Sequence, residues 1–301
     1  MDGVLLFDKP IGLSSNKSMM VVKSLFNANK IGHTGTLDPF ASGLLPLCFG
    51  EATKFSQSFL EAKKTYETTL FFGIKTSTGD LEGDIVERLP FNFDKIKLEK
   101  ILKNFEGLIK QVPHKFSAIK KNGKPLYKYA REGIEVDISP REVLIHSINI
   151  LEFNLPKIKL MISCSKGTYI RVLGEEIGKA LGSCAHLIAL RRKKVDELKI
   201  ENSYNLDIIK NLNFESRIKL LLPCDSLLKS FPILKLSKEL IFRFYNGQRL
   251  SLHKEGLSFP HFKGRVRVYS KETNSLIGTG RITDFGVLAP ERLVSNFYKL
   301  K

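Results

Sequence analysis

Cysteine is scarce in this chain: Cys48, Cys164, Cys184 and Cys224 are scattered through 301 residues and form no CxxC pair. That scatter argues against both a zinc site and a disulfide framework. Three of the four sit in apolar or strand-like contexts that suit buried free thiols in a reducing compartment. The six histidines form no HExxH or comparable cluster, so no metal is expected. No apolar run approaches the length of a membrane span. The opening MDGVLLFDKP carries an acid at position two and meets a proline too soon for a signal peptide. Heptads, internal repeats and low-complexity tracts are also missing. What remains is a soluble globular protein expected in the cytoplasm, with no membrane among its partners.

Acidic residues are few relative to basic ones. Against 48 Lys and Arg stand 31 Asp and Glu, which gives a net charge of +17 and a pI of about 9.6. Such an excess favours a polyanionic partner, because each neutralised phosphate releases counterions. A hydrophobic content of 43% is ordinary for a chain with a real core, and the length suits one large domain plus a small one.

The most informative stretch is Gly32–Gly50, GHTGTLDPFASGLLPLCFG. Pro39 restricts Asp38 to extended backbone, and the surrounding glycines permit shapes that bulkier residues resist. Such a loop holds one carboxylate at a fixed place and angle, which suits catalysis. Taken alone, the same run also fits a tight turn whose Asp and Thr satisfy backbone amides.

In chain order, Gly3–Phe7 reads as a strand. Ser14 or Ser15 then caps a helix with Met19, Val22, Leu25 and Phe26 on one face. Glu51–Ala62 reads as a helix with Phe55, Phe59 and Leu60 inward, and Thr65–Gly73 as a strand. Asp94 caps a helix bearing Leu98, Ile101, Leu102 and Phe105. Val143–Phe153 and Lys157–Ser165 read as paired strands, the second with Ile158, Leu160, Ile162 and Cys164 on one face. A turn, CSKGTYIR, runs into a helix, Ala185–Arg192 reads as a buried strand, and Leu206–Leu222 reads as one helix closed by Pro223. Beyond about Ser230 a short helix (Ser237–Tyr245) and the strands Arg265–Tyr269, Leu276–Ile282 and Val287–Leu288 suggest a small separate β-barrel-like domain.

Val112–Arg141 differs from the rest. Lys115, Lys120, Lys121, Lys124, Lys128 and Arg131 interleave there with Phe116, Tyr127 and Tyr129. Cations mixed with aromatic faces suit looped or single-stranded RNA, although a solvated hairpin plus short helix fits the same composition. Chemistry has four candidate elements: the Asp38 loop, Tyr66, the Lys166–Arg171 turn and the Leu190-Arg191-Arg192 strand end. Arg171 is a natural partner for an active carboxylate, since a guanidinium orients it and keeps it ionised. Composition alone does not bring the two together.

The strings GVLLFDKPIGLSS, GHTGTLDPFASGLLPLCFGEATKFSQ, KTYETTLFFG, CSKGTYIRVLGEEIG and AHLIALRR, in this order and spacing, resemble the bacterial tRNA pseudouridine synthase B (TruB) family. The resemblance runs from about Gly3 to Arg192, and the tail resembles the family's PUA-like RNA-binding domain. It implies an α+β pseudouridine synthase fold around a mixed, mostly antiparallel sheet. It also implies a catalytic domain over 1–229 with a thumb insertion at about 112–141, and a PUA-like domain over 230–301.

By the same resemblance, Asp38 matches the catalytic nucleophile. Tyr66 matches the tyrosine that stacks on the target uracil and assists deprotonation at its C5, and Arg171 matches the arginine paired with the catalytic carboxylate. Tyr169 and Leu190 match residues lining the uridine pocket, His33 a histidine near the extruded base, and Lys9 with Pro10 a motif bracing the catalytic loop at the substrate side. Lys115, Lys120, Lys124, Tyr127, Lys128 and Arg131 fall in the RNA-gripping thumb. Ser77 departs from the family's usual TDTxD stretch, while Asp80 is kept.

The implied reaction is isomerisation of the T-loop uridine of tRNA after base flipping, with no cofactor, no obligatory protein partner and a monomeric enzyme. Two other readings are a tRNA-folding chaperone with secondary catalysis and a guide-RNA-dependent synthase.

Overall fold

The computed structural model describes residues 1–117, 119–257 and 262–295. Ala118, within the predicted thumb, and the last residues of the predicted tail domain lie outside that set.

The fold is built on a ten-stranded mixed sheet. Its principal strands are β1 (Gly3–Lys9), β2 (Ser42–Phe49), β3 (Lys64–Phe72), β4 (Gly107–Gln111), β5 (Arg141–Asn154), β6 (Lys157–Cys164) and β7 (Ala185–Val195). Their order across the sheet is β1-β2-β7-β3-β6-β5-β4, with Tyr204–Asn205 added outside β1. Only β7 with β2, and β1 with Tyr204–Asn205, run parallel; the other pairs along this path are antiparallel.

Alternation decides the faces. Along β3, Lys64, Tyr66, Thr68, Leu70 and Phe72 are buried, while the residues between them are not. On β6, Ile158, Leu160, Ile162 and Cys164 all face the core, as the period of two predicts. In β2 every residue is buried, as expected of a strand covered on both faces.

Helix α1 (Ser15–Leu25) is capped by Ser14, whose hydroxyl accepts from Lys17 N at 3.2 Å. It sets Val22 and Phe26 in the core. Helix α2 (Lys95–Asn104) is capped by Asp94, and α3 (Ile170–Ala180) follows β6 as expected.

Two helices expected from the sequence are broken. Glu51–Ala62 is a 3₁₀ turn over Gly50–Lys54 and then a short α-helix over Ser56–Leu60. Phe55 and Phe59 are buried as expected, but the change of axis leaves Leu60 40% exposed. Leu206–Leu222 divides into helices over Leu206–Asn211 and Phe214–Lys219, because Asn213 caps the second by accepting from Ser216 N at 2.9 Å.

The predicted thumb is an excursion between β4 and β5, which are themselves paired. Lys120–Lys121 and Lys124–Pro125 form a small hairpin, followed by a helix over Leu126–Arg131. The tail forms its own five-stranded sheet around a separate core that includes Leu236, Ile241, Phe244 and Val268. The path of that sheet is open, from Ile233–Leu236 at one edge to Leu250–Ser251 at the other. A side-chain staple joins tail and main sheet. Lys54 Nζ donates to Glu51 at 2.9 Å and to Leu293 O at 3.0 Å, and Ser295 N donates to Glu51 Oε2 at 2.6 Å.

Candidate active site

The Asp38 loop is held by bonds from three directions. Ser15, at the start of α1, donates to Leu37 O at 2.9 Å and accepts from Leu37 N at 2.7 Å. Gly12 N donates to Pro39 O at 2.8 Å. From β7, the buried Arg192 guanidinium donates to Leu44 O at 2.7 Å and Gly35 O at 3.0 Å. Gly43 is required where β2 leaves this loop: its φ is +108°, and a Cβ there would lie 2.4 Å from Arg192 O.

Arg171, at the first turn of α3 and 3% exposed, brings the carboxylate and the rest of the site together. Its Nη2 lies 3.0 Å from Asp38 Oδ2 and its Nη1 3.5 Å from Asp80 Oδ2. The same guanidinium donates to Thr78 O at 2.9 Å and Phe116 O at 3.1 Å. Asp80 is fixed in turn by Thr78 Oγ1 at 2.6 Å and Glu82 N at 2.9 Å. At the departure noted above, Ser77 Oγ accepts from Asp84 N at 3.1 Å, a bond that a carboxylate could also make. Burial raises the Asp38 pKa above the ordinary carboxylate range; the Arg171 charge opposes this and Asp80 reinforces it.

Asp38 opens onto a cavity of about 250 Å³ whose walls include Tyr66, Tyr169, Arg171 and Leu190. Five of the residues singled out from the sequence therefore converge. Lys9 and His33 are not in that wall. Lys9 is fully buried, with Nζ donating to Pro10 O at 2.8 Å and Leu13 O at 2.6 Å, so it braces the chain beside the loop. Burial lowers its pKa to about 8, with the nearby Asp38 charge opposing. His33 Nδ1 accepts from Gly35 N at 3.4 Å, and burial followed by the Arg192 charge lowers its pKa, which keeps the ring neutral.

Sequence reasoning gave no individual role to several residues here. Lys64 lines the cavity as a buried amine whose pKa burial pushes down to about 8. Gln111 clamps the backbone of Tyr169, accepting from its N at 2.8 Å and donating to its O at 3.1 Å. Arg141 stacks its guanidinium 4.8 Å from the centre of the Tyr169 ring. Arg192 sits directly opposite Tyr66 in the β3–β7 ladder. Ser117, beside the thumb hairpin, also reaches the cavity wall. Only Arg192 carried a sequence signal, as part of the Leu190-Arg191-Arg192 strand end.

On the thumb, Lys115, Lys120, Lys128 and Arg131 are exposed. Arg131 lies over Tyr127 at 5.7 Å, and Lys124 lies over Tyr129 at 4.7 Å while pairing with Glu132. Among the described residues no group of three or more His, Cys, Asp or Glu side chains is placed to hold a metal, and no helix is long and apolar enough to cross a membrane.

The sheet that carries this carboxylate–arginine pair has relatives of known structure. The fold matches that of an H/ACA RNP bound to a substrate RNA containing 2'-deoxyuridine, at a TM-score of 0.74 and 22% identity, over 97% of this chain and 84% of that one. An archaeal box H/ACA sRNP Nop10-Cbf5 complex matches at a TM-score of 0.72 and 24% identity, covering 97% and 86%. The class is therefore that of the pseudouridine synthase fold.

Closer relatives narrow it. The model of the TruB family pseudouridylate synthase N-terminal domain matches residues 23–170, and that of the pseudouridine synthase II TruB C-terminal domain matches 232–294. The tRNA pseudouridine synthase B of Burkholderia mallei (strain NCTC 10247) is 50% identical over 296 residues, covering 98% of this chain and 97% of its own. That of Cupriavidus pinatubonensis (strain JMP 134 / LMG 1197) is 49% identical over 296 residues, covering 97% and 94%. The chain belongs to the TruB family of pseudouridylate synthases.

Proposed function

We propose that this protein converts the T-loop uridine of tRNA to pseudouridine in the cavity at Asp38. The N1–C1′ bond breaks, the uracil turns, and a C5–C1′ bond forms; C5 loses a proton, N1 gains one, and no net redox change occurs. Asp38 supplies the carboxylate, acting covalently or stabilising cationic character at the ribose, as in glycoside chemistry. Arg171 orients it and keeps it ionised. Tyr66 stacks on the base and assists removal of the C5 proton. Tyr169 and Leu190 line the space the base turns in, with His33 nearby and Lys9 bracing from behind.

The observation that carries this reading is the 3.0 Å Arg171–Asp38 pair at the base of a cavity walled by Tyr66, Tyr169 and Leu190. Flipping the base costs a few kcal/mol, offset by aromatic stacking and phosphate contacts. The thumb cations Lys115, Lys120, Lys124, Lys128 and Arg131, with Tyr127, supply the latter. Residues 1–229 act as the catalytic domain and 230–301 as a PUA-like RNA-binding domain. The enzyme works as a monomer in the cytoplasm without an obligatory protein partner or guide RNA.

The test is release of tritium from C5-labelled uridine in a tRNA transcript incubated with the protein alone. Release that vanishes in Asp38→Asn supports the reading. No release from bare transcript, or full release by Asp38→Asn, overturns it. A chaperone role alone would leave tRNA folding by Asp38→Ala intact while wild type modified nothing.

A further inference from the structure

Three buried side-chain atoms in the cavity wall lack a hydrogen-bond partner among the described residues: Arg141 Nε, Arg171 Nε and Ser117 Oγ. The two guanidiniums bond through their other nitrogens, while the serine side chain has no second polar atom to use. Ser117 is 4% exposed and lines the same cavity as Asp38 and Tyr66. Its Oγ is buried without a hydrogen-bond partner among the described residues. A buried hydroxyl in that condition costs the folded protein free energy, of the order of a lost hydrogen bond.

The surrounding backbone keeps Ser117 where it is. Tyr127 N donates to Ser117 O at 3.0 Å, and the preceding carbonyl of Phe116 accepts from Arg171 Nη2 at 3.1 Å. Phe116 N donates to His114 Nδ1 at 3.2 Å. Residues 116 and 117 are thus pinned by main-chain bonds on both sides, and one of those bonds ends on the guanidinium that holds Asp38. The hydroxyl can rotate, but it cannot leave the cavity without breaking them.

We propose that Ser117 Oγ binds the uridine turned into this cavity, donating to or accepting from a polar atom of the flipped nucleotide. The inference rests on the reading that Asp38 marks the reaction site. A hydroxyl suits a base that changes orientation during the reaction, because one rotor can both donate and accept. Asp38 is engaged by Arg171, and of the aliphatic hydroxyls along this wall Ser165 donates to Lys166 O and Thr168 to Ser165 O, whereas Ser117 Oγ is buried with no partner among the described residues. Ser117 is therefore a neutral, uncommitted contact that can follow the base as it turns. It also places a substrate-binding atom in the segment that leads from β4 into the thumb hairpin, so a grip on RNA by the thumb is transmitted to the base-binding wall.

The signature is a split between stability and function. Ser117→Ala deletes an unpaired buried hydroxyl, so the free protein should unfold at the same or higher denaturant concentration than wild type. The same variant should convert a T stem-loop RNA about tenfold more slowly under single-turnover conditions, the loss expected for one net hydrogen bond. The partner atom is found by measuring affinity in an Asp38→Asn background, which stops turnover. Stem-loops carrying uridine, 2′-deoxyuridine, 2-thiouridine or 4-thiouridine at the target are compared with and without Ser117→Ala. For one analogue the serine should no longer matter, which identifies the sugar or a base oxygen as its partner.

Parallel loss of stability and rate, with an equal effect of Ser117→Ala on every analogue, would make the hydroxyl structural and overturn the proposal. Full activity of Ser117→Ala beside an inactive Asp38→Asn would overturn it and leave the site reading standing. An active Asp38→Asn would overturn both.

Discussion

Tyr66 and Arg192 face each other directly across the ladder between β3 and β7, and both are buried. Burial raises the Tyr66 phenol pKa, and the Arg192 charge opposes that rise. The guanidinium thereby makes the phenolate less costly than an apolar wall would, which is what a residue assisting proton removal requires.

Arg192→Met should therefore raise the Tyr66 pKa further and slow conversion by about 10²–10⁴-fold, with Arg192→Lys recovering part of the loss. Ultraviolet titration of the phenol, corrected with Tyr66→Phe, checks the pKa, and single-turnover rates check the chemistry. An unchanged titration in Arg192→Met would break the link.

Asp38 must be ionised to act, and burial holds its pKa above the ordinary carboxylate range. The rate should thus fall on acidification earlier than for an exposed aspartate. Asp80→Asn removes a negative charge that raises the Asp38 pKa, so the acid limb should move to lower pH while the plateau drops as Arg171 loses one support. Asp38→Asn should cost about 10⁴-fold or more at every pH. The pH dependence of the single-turnover rate reads all three.

Lys120→Ala with Lys124→Ala should weaken tRNA binding. It should also flatten the dependence of log affinity on log salt by about 0.7–0.9 per lost phosphate contact. Filter binding at several salt concentrations measures this, and an unaltered slope would mean that the thumb hairpin does not touch phosphate.

The buried Lys9 titrates at about 8 instead of 10.5. Because the folded state holds its proton less tightly than the unfolded one, stability from this group is lowest below about pH 8 and rises until about 10.5, where both states are neutral. Wild type should gain stability relative to Lys9→Met across that window. Differences in denaturation midpoint at matched pH isolate it from Cys48, whose pKa is pushed up to about 12 and which acts in the opposite sense. A difference that stays flat from pH 8 to 10.5 would refute this.

Much of this site is legible in the sequence because long motifs resemble those of a known family, and the structure shows local reasons why those motifs have the residues they do. Pro39 fixes Asp38, the period of two in β3 sends Tyr66 inward, and the turn before α3 presents Tyr169 and Arg171. Gln111 and Arg141 acquire meaning only through bonds to the Lys166–Arg171 segment 58 and 26 residues away, and Ser117 only because the carbonyl of its neighbour Phe116 is held by Arg171, 55 residues on. Lys64 looks like any surface lysine until the strand register turns it into the cavity. The missed helix breaks have the same cause: Asn213 interrupts Leu206–Leu222 by capping, an event that apolar spacing does not register.

The staple of Lys54 and Glu51 to Leu293 O and Ser295 N has a consequence for recombination between relatives. Two of its four members are main-chain groups of the tail, and Lys54 Nζ donates to the Ser295 hydroxyl as well, so the joint depends on how the last strand is seated and on the serine that follows it. A chimera that grafts another tail onto this catalytic unit would retain the joint only if that strand ended at the same height, and a one-residue offset there would leave Lys54 and Glu51 facing solvent beside the strand that leads out of the Asp38 loop.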